Sequence, residues 1–310
     1  MTSQLIFEKR RNRFLDQLGG NAAIIPAASM VAHHADCNYP FRQDSDFWYL
    51  TGFDEPDAIA LFLPHRPKGE RYILFVLPKD SLMEVWEGVR WGVEGAINHF
   101  QADLAHPIDE FCNLLKEYID GAEGLAFRVG RNKKIESTVL TVWSELLNQY
   151  SRSGSAPLSL SPPSLLLDKL RLRKDSWEIK RMREAAQISA GAHELARTVV
   201  KPGMNEKEVQ AVIEQYFLKH GARGPAYGSI VAGGENACIL HYTSNSSSLK
   251  GGDLLLIDAG CSLVDYYNGD VTRTFPINGK FTSEQRDLYE IVLASQLAAI
   301  NVVQPGNNTE

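Results

Sequence analysis

The sequence predicts two domains: an α/β domain over residues 1–173, then a domain over 174–310 in which helices flank a β-rich segment. Three observations predict this. At 310 residues the chain exceeds the ~250 residues at which single cores stop growing and chains divide. The first half alternates short β-rich apolar runs with helical periodicity, and the second repeats helix-capping signals around a β-rich stretch. Between them, "SRSGSAPLSLSPPS" at 151–164 is crowded with Ser and Pro and reads as an all-surface connection, with the boundary shortly after it, near Lys174.

Taken in order, Leu5 to Leu18 has helical spacing and ends at Gly19-Gly20, and β-rich runs follow at Ala23 to Pro26, Phe47 to Thr51, Ala58 to Leu63 and Tyr72 to Leu77. In the second half, Asp175 with Glu178 makes a capping box for a helix over Trp177 to Val200, which Pro202-Gly203 stops. Asn205 and Glu208 repeat the device, with Val209, Val212, Ile213 and Tyr216 on one face and Gly221 as the stop. A β-rich region runs from about Ser229 to Phe275, and Thr282 with Gln285 opens a last helix through Val302.

Composition excludes several classes. The 38 acidic and 32 basic residues are mixed along the chain, with no basic run to track phosphates, so no nucleic-acid partner is expected. The four cysteines, Cys37, Cys112, Cys238 and Cys261, are far apart and lack metal or disulfide-scaffold spacing. No apolar run approaches the ~18 residues that span a bilayer, and the N-terminus lacks the apolar core of a signal peptide. A cytoplasmic protein without a membrane partner is expected.

One internal echo stands out. "ELARTVVKPGMNEKE" (Glu194 to Glu208) is matched by "QLAAINVVQPGNNTE" (Gln296 to Glu310), with Gly203 and Gly306 offset by 103 residues. Repetition at a fixed offset is evidence of duplication, whereas a helix ended by Pro-Gly is also common punctuation. Either the match is accidental, or the chain ends about one repeat early.

The candidate chemistry lies in "LLLIDAGCSLVDYYNGDVTRTF" (Leu254 to Phe275), where Asp258 and Asp270 are twelve residues apart. At ~3.3 Å per residue a straight strand would separate them by about 40 Å. A reversal near Val264 instead sets them opposite each other on an antiparallel hairpin, with Cβ atoms about 5 Å apart. Carboxylates that close repel unless a proton or cation lies between them, and a hard divalent metal or a bridged pair of metals suits them. The alternative is that Asp258 opens an Asp-Ala-Gly turn and Asp270 is a solvated strand residue. His241, in "GGENACILHYTSN", ends an apolar stretch after two glycines and is either a structural histidine or a functional one. The other histidines, at 33, 34, 65, 99, 106, 193 and 220, show no paired metal spacing and receive no role.

Several long segments in order, "FRQDSDFWYLTGFDEPDAIALFL" (Phe41 to Leu63), "MEVWEGVRWG" (Met83 to Gly92), "AYGSIVAGGENACILHYT" (Ala226 to Thr243) and "LLLIDAGCSLVDYYNGDVTRTFPINGKF" (Leu254 to Phe281), resemble aminopeptidase P. This is the Xaa-Pro aminopeptidase branch of the creatinase and methionine aminopeptidase superfamily. The resemblance covers essentially the whole chain. It implies an α/β N-terminal domain and an α+β pita-bread, creatinase-like catalytic domain, here incomplete. It also implies a hydrolase that releases the N-terminal residue from peptides with proline second, using two divalent ions, usually manganese, held by two Asp, one His and two Glu.

By the same resemblance the two Asp are Asp258 and Asp270, His241 assists substrate binding and proton transfer, and Tyr227 lines the cavity. The ligating His and both Glu would lie beyond Glu310, so the 310-residue chain is expected to be weakly active or inactive. Apolar surface left uncovered would favour association, and a homo-oligomer is expected. The spacing of the two Asp is one residue longer than is usual in the family, which a loop or a β-bulge must absorb. A prolidase-like dipeptidase is the alternative among enzymes. A non-catalytic peptide-binding protein is the alternative outside them, and it would be marked by replaced aspartates.

Overall fold

The computed structural model describes residues 3–308. The chain divides into two compact units, the first ending at Arg173 and the second beginning at Lys174.

In the first unit α1 (Ser3–Leu18), β1 (Ala22–Pro26), β2 (Ala32–His34), β3 (Cys37–Asn38), α2 (Ser45–Thr51), β4 (Ile59–Phe62), β5 (Tyr72–Val76), α3 (Ser81–Glu87) and α4 (Gly92–Asn98) are followed by β6 (Leu104–Pro107), α5 (Phe111–Ile119), β7 (Leu125–Phe127), α6 (Lys133–Ser153), β8 (Leu160–Ser161) and α7 (Ser164–Leu172). A mixed six-stranded sheet in the order β6-β5-β4-β1-β7-β8 organises them. Its central strands are apolar at every position because helices cover both faces. Ala23, Ile25, Ala60, Phe62 and Leu74 pack with Phe14, Leu18 and Leu167. Their neighbours Ala22, Ile24, Ile59, Leu61 and Ile73 pack with Phe111, Leu115 and Leu146 on the other side. This is the period-two alternation of a strand.

Two expectations fail here. Phe47 to Thr51, expected as a β run, lies in α2: Asp44 caps the helix by accepting from Asp46 N and Phe47 N, and Gly52 at φ +66° closes it. All five residues are buried, so no exposed face reveals the helical period. The 151–164 stretch is not wholly a surface connection either. It begins in the last turn of α6, buries Ala156 and Pro157, and contributes β8, which pairs parallel with β7.

The second unit opens with α8 (Ser176–Val199) and α9 (Glu206–Lys219), each started by the capping box read from the sequence. Then come β9 (Gly224–Pro225), β10 (Ile230–Gly233), β11 (Leu254–Asp258), β12 (Cys261–Ser262), β13 (Thr272–Pro276) and α10 (Ser283–Asn301), itself begun by the Thr282/Gln285 box. β10, β11 and β13 form an antiparallel sheet with β11 central. Leu255 and Ile257 of β11 join Ala185, Ala192, Val209, Ile213 and Phe217 in one core. By strand alternation, Leu254, Leu256 and Asp258 therefore occupy the face turned away from α8 and α9.

Candidate metal and substrate site

Asp258 closes β11 and pairs with Thr272 of β13. The register then continues without slippage past the end of the sheet. Ala259 N donates to Val271 O, Gly269 N to Cys261 O and Leu263 N to Tyr267 O. A loop of Val264, Asp265 and Tyr266 closes the hairpin, with Tyr266 N donating to Leu263 O at 3.0 Å. Tyr266 takes φ +66°, the left-handed residue that three-residue hairpin loops require. The extra residue is thus absorbed in the loop.

The direct opposition expected from the sequence does not hold. The hairpin turns about Asp265 rather than Val264, so Asp270 faces Gly260, and the two carboxylates are diagonal neighbours on one face, two residues apart in register. Diagonal pairs are about 7–8 Å apart at Cα, close enough for two short side chains to share a partner.

That partner is Tyr227. Its hydroxyl oxygen lies 2.6 Å from Asp258 Oδ1 and 2.9 Å from Asp270 Oδ1. Burial pushes the Tyr227 phenol well above its ordinary range, and the two accepting carboxylates with their charges push it further, so the proton stays on the hydroxyl. One phenolic proton serves only one carboxylate at a time. The second short oxygen contact is therefore left for a proton or a cation, and an acceptor set of hard oxygens fits a divalent ion. Tyr227, Asp258 and Asp270 line a cavity of about 410 Å³ together with Gly228, Ile230, His241 and Thr243. His241 is exposed within its loop. The four residues singled out in the sequence thus share one cavity.

Helix α8 holds the hairpin from the opposite side, a role its sequence did not announce. Ser189 Oγ donates to Ala185 O and accepts from Cys261 N at 3.0 Å. His193 Nε2 lies 3.0 Å from Ala259 O, a contact that requires the Nε2–H tautomer. Burial pulls the His193 imidazole below its usual range, which favours that neutral form. Nearer the loop, Arg181 pairs with Asp265, and Tyr267 donates to Glu178 at 2.8 Å. The backbones approach closely: a Cβ on Gly269 would fall 2.2 Å from Ser189 Oγ and 2.7 Å from Ala185 O. Residues 178, 181, 185, 189 and 193 follow helical spacing, and that stripe was the available signal.

Comparison with known proteins gives the family of the chain. Residues 180–310 match the model of metallopeptidase family M24, and residues 7–126 match that of the aminopeptidase P N-terminal domain. The chain is 42% identical over 304 residues to an Xaa-Pro aminopeptidase of Haemophilus influenzae, covering 97% of this chain and 67% of that protein. It is 38% identical to an Xaa-Pro aminopeptidase of Escherichia coli, covering 97% and 68%. Among solved structures, the aminopeptidase PepP of Pseudomonas aeruginosa superposes with a TM-score of 0.93 at 41% identity, covering 98% of this chain and 68% of that one. A zinc-substituted E. coli aminopeptidase P in complex with product superposes at 0.92 and 38% identity, covering 98% and 69%.

Proposed function

This chain belongs to the Xaa-Pro aminopeptidases, metallopeptidases of family M24 with an aminopeptidase P N-terminal domain, and from that premise we propose that the Asp258/Asp270 hairpin forms one wall of its metal site. The reaction is release of the N-terminal residue from peptides with proline in second position. The observation that carries this reading is the convergence of both carboxylates on the single hydroxyl of Tyr227, in a cavity that His241 also lines.

Asp258 and Asp270 would hold divalent metal, and manganese suits their hard-oxygen donors. When bound, such a metal polarises a carbonyl and supplies hydroxide at neutral pH. The bond to proline has no N–H, so a site for it must grip the carbonyl side rather than an amide donor. His241, which lines the cavity, would donate to the oxygen that gains charge as the carbonyl is attacked. Tyr227 keeps its proton and orients the carboxylates.

Two carboxylates are few ligands for a pair of ions, and no group of three or more His, Cys, Asp or Glu suited to a metal occurs among the described residues. We therefore expect the 310-residue polypeptide to bind Mn²⁺ weakly and to turn over an Xaa-Pro peptide little or not at all. The test adds Mn²⁺ to wild type, Asp258→Asn and Asp270→Asn and measures heat of binding and release of the first residue. Robust metal-dependent turnover by wild type would refute the low-activity reading. Equal Mn²⁺ binding by wild type and both variants would refute the assignment of the ligands.

A further inference from the structure

The first residue of α9, Glu206, is fully buried, although acidic side chains are almost never so unless paired. Among the described residues no cation pairs with it. Instead four neutral donors converge on its carboxylate: Gly233 N at 2.8 Å and Asn236 Nδ2 at 2.9 Å on Oε1, Tyr242 Oη at 2.8 Å and Ser247 N at 2.9 Å on Oε2. These donors lie along one loop. Gly233 and Ser247 bracket it, Asn236 lies within it, and Tyr242 is the residue after His241. Burial opposes the charge, but the four donors outweigh it and hold the carboxyl below its ordinary value, so the anion persists.

A second anchor secures the same loop near its far end. Asn245, buried at φ +46°, accepts from Val231 N and donates to Ser229 O and Gln210. Between these anchors the tip is open to solvent, with Ile239 55% and Leu240 89% exposed beside His241. A chain that spans this gap with an exposed, apolar tip has no burial of its own to fix it. Its conformation is set from the base.

We propose that Glu206 is a positioning residue that holds the 233–247 loop, through Tyr242 and Asn236, in the conformation that presents His241 to the cavity. The inference rests on the reading of His241 as the substrate-facing group. It predicts that charge at position 206, rather than bulk, controls the loop. Glu206→Gln keeps the shape but places an amide donor against donors.

The test is hydrogen exchange by mass spectrometry, together with the NMR signal of the His241 ring, identified by its loss in His241→Gln. Expected in Glu206→Gln is faster exchange of residues 234–247 by about ten-fold or more, with a broadened or split His241 signal and unchanged exchange of the first unit. Tyr242→Phe, which removes one of the four bonds, should give the same pattern more weakly and remains informative if the Gln variant unfolds. Loop exchange and a His241 signal that match wild type in both variants overturn the proposal. Addition of the peptide Ala-Pro-Ala to wild type separately tests the underlying reading: a shifted His241 signal supports it, and an unmoved one refutes the role of His241 whatever Glu206 does to the loop.

Discussion

At the scale of single residues, the site is governed by how few protons serve many acceptors. Tyr227 spends its one proton between Asp258 and Asp270, so a metal ion bound there would compete with the phenol for the same oxygens. Tyr227→Phe removes the competitor without removing a ligand. Its Mn²⁺ affinity, read by calorimetry, should equal or exceed that of wild type, and a tenfold loss would show that orientation of the carboxylates by the hydroxyl outweighs its competition for them. Glu206 presents the opposite balance, with more donors than one carboxylate usually finds. Hydrogen bonds to a charged acceptor contribute ~1.5–3 kcal/mol each, so Glu206→Gln, which sets an amide NH₂ against the two donors of one oxygen, should cost about 3–6 kcal/mol at neutral pH. A carboxyl held low in the folded state stabilises above its unfolded value, and that contribution is lost as pH falls through the folded one. The stability gap between wild type and Glu206→Gln should therefore close below about pH 4, as followed by thermal midpoints across the acid range. A gap that stays constant down to about pH 3 would show that the carboxyl is not held low.

At the scale of elements, the hairpin and α8 act as one piece. The hairpin turns back on itself so tightly that a Cβ on Gly260 would lie 1.8 Å from Gly269 O, a backbone atom that no side-chain rotation moves away. Gly269 presses on Ser189 and Ala185 in the same way. Overpacking of this kind costs ~1–3 kcal/mol and more where backbone must shift. Gly260→Ala and Gly269→Ala should each lower the urea midpoint accordingly, with Gly260→Ala the worse; no loss in Gly269→Ala would mean that the hairpin is not clamped against α8, and none in Gly260→Ala that its two strands are not so tightly apposed. The helices were legible because their caps are local: Asp175/Glu178, Asn205/Glu208 and Thr282/Gln285 each form the reciprocal bonds that their spacing suggests. Helix α2 was not, because burial of all five residues from Phe47 to Thr51 erased the contrast between faces.

At the scale of the whole molecule, α10 has no buried residue although it carries Leu288, Ile291, Val292, Leu297 and Ile300, of which Ile291 is 66% exposed. Apolar faces of this extent drive association. Sedimentation of the 310-residue polypeptide should show mass rising with concentration, and Ile291→Glu should reduce it; a strictly monomeric wild type would exclude that role. Among the described residues no helix is long and apolar enough to cross a membrane. The sequence by itself determined the order of the two domains, the capped helices, and the need for a reversal between Asp258 and Asp270, because each follows from chain neighbours and fixed bond geometry. Only the tertiary structure decided that the reversal centres on Asp265, that the aspartates meet diagonally rather than face to face on the hydroxyl of Tyr227, that Ser189 and His193 hold the hairpin from its other side, and that Glu206 gathers the donors of the 233–247 loop. Those contacts join residues tens of positions apart, and it is their packing, not any local pattern, that selects one register among those the loop allows.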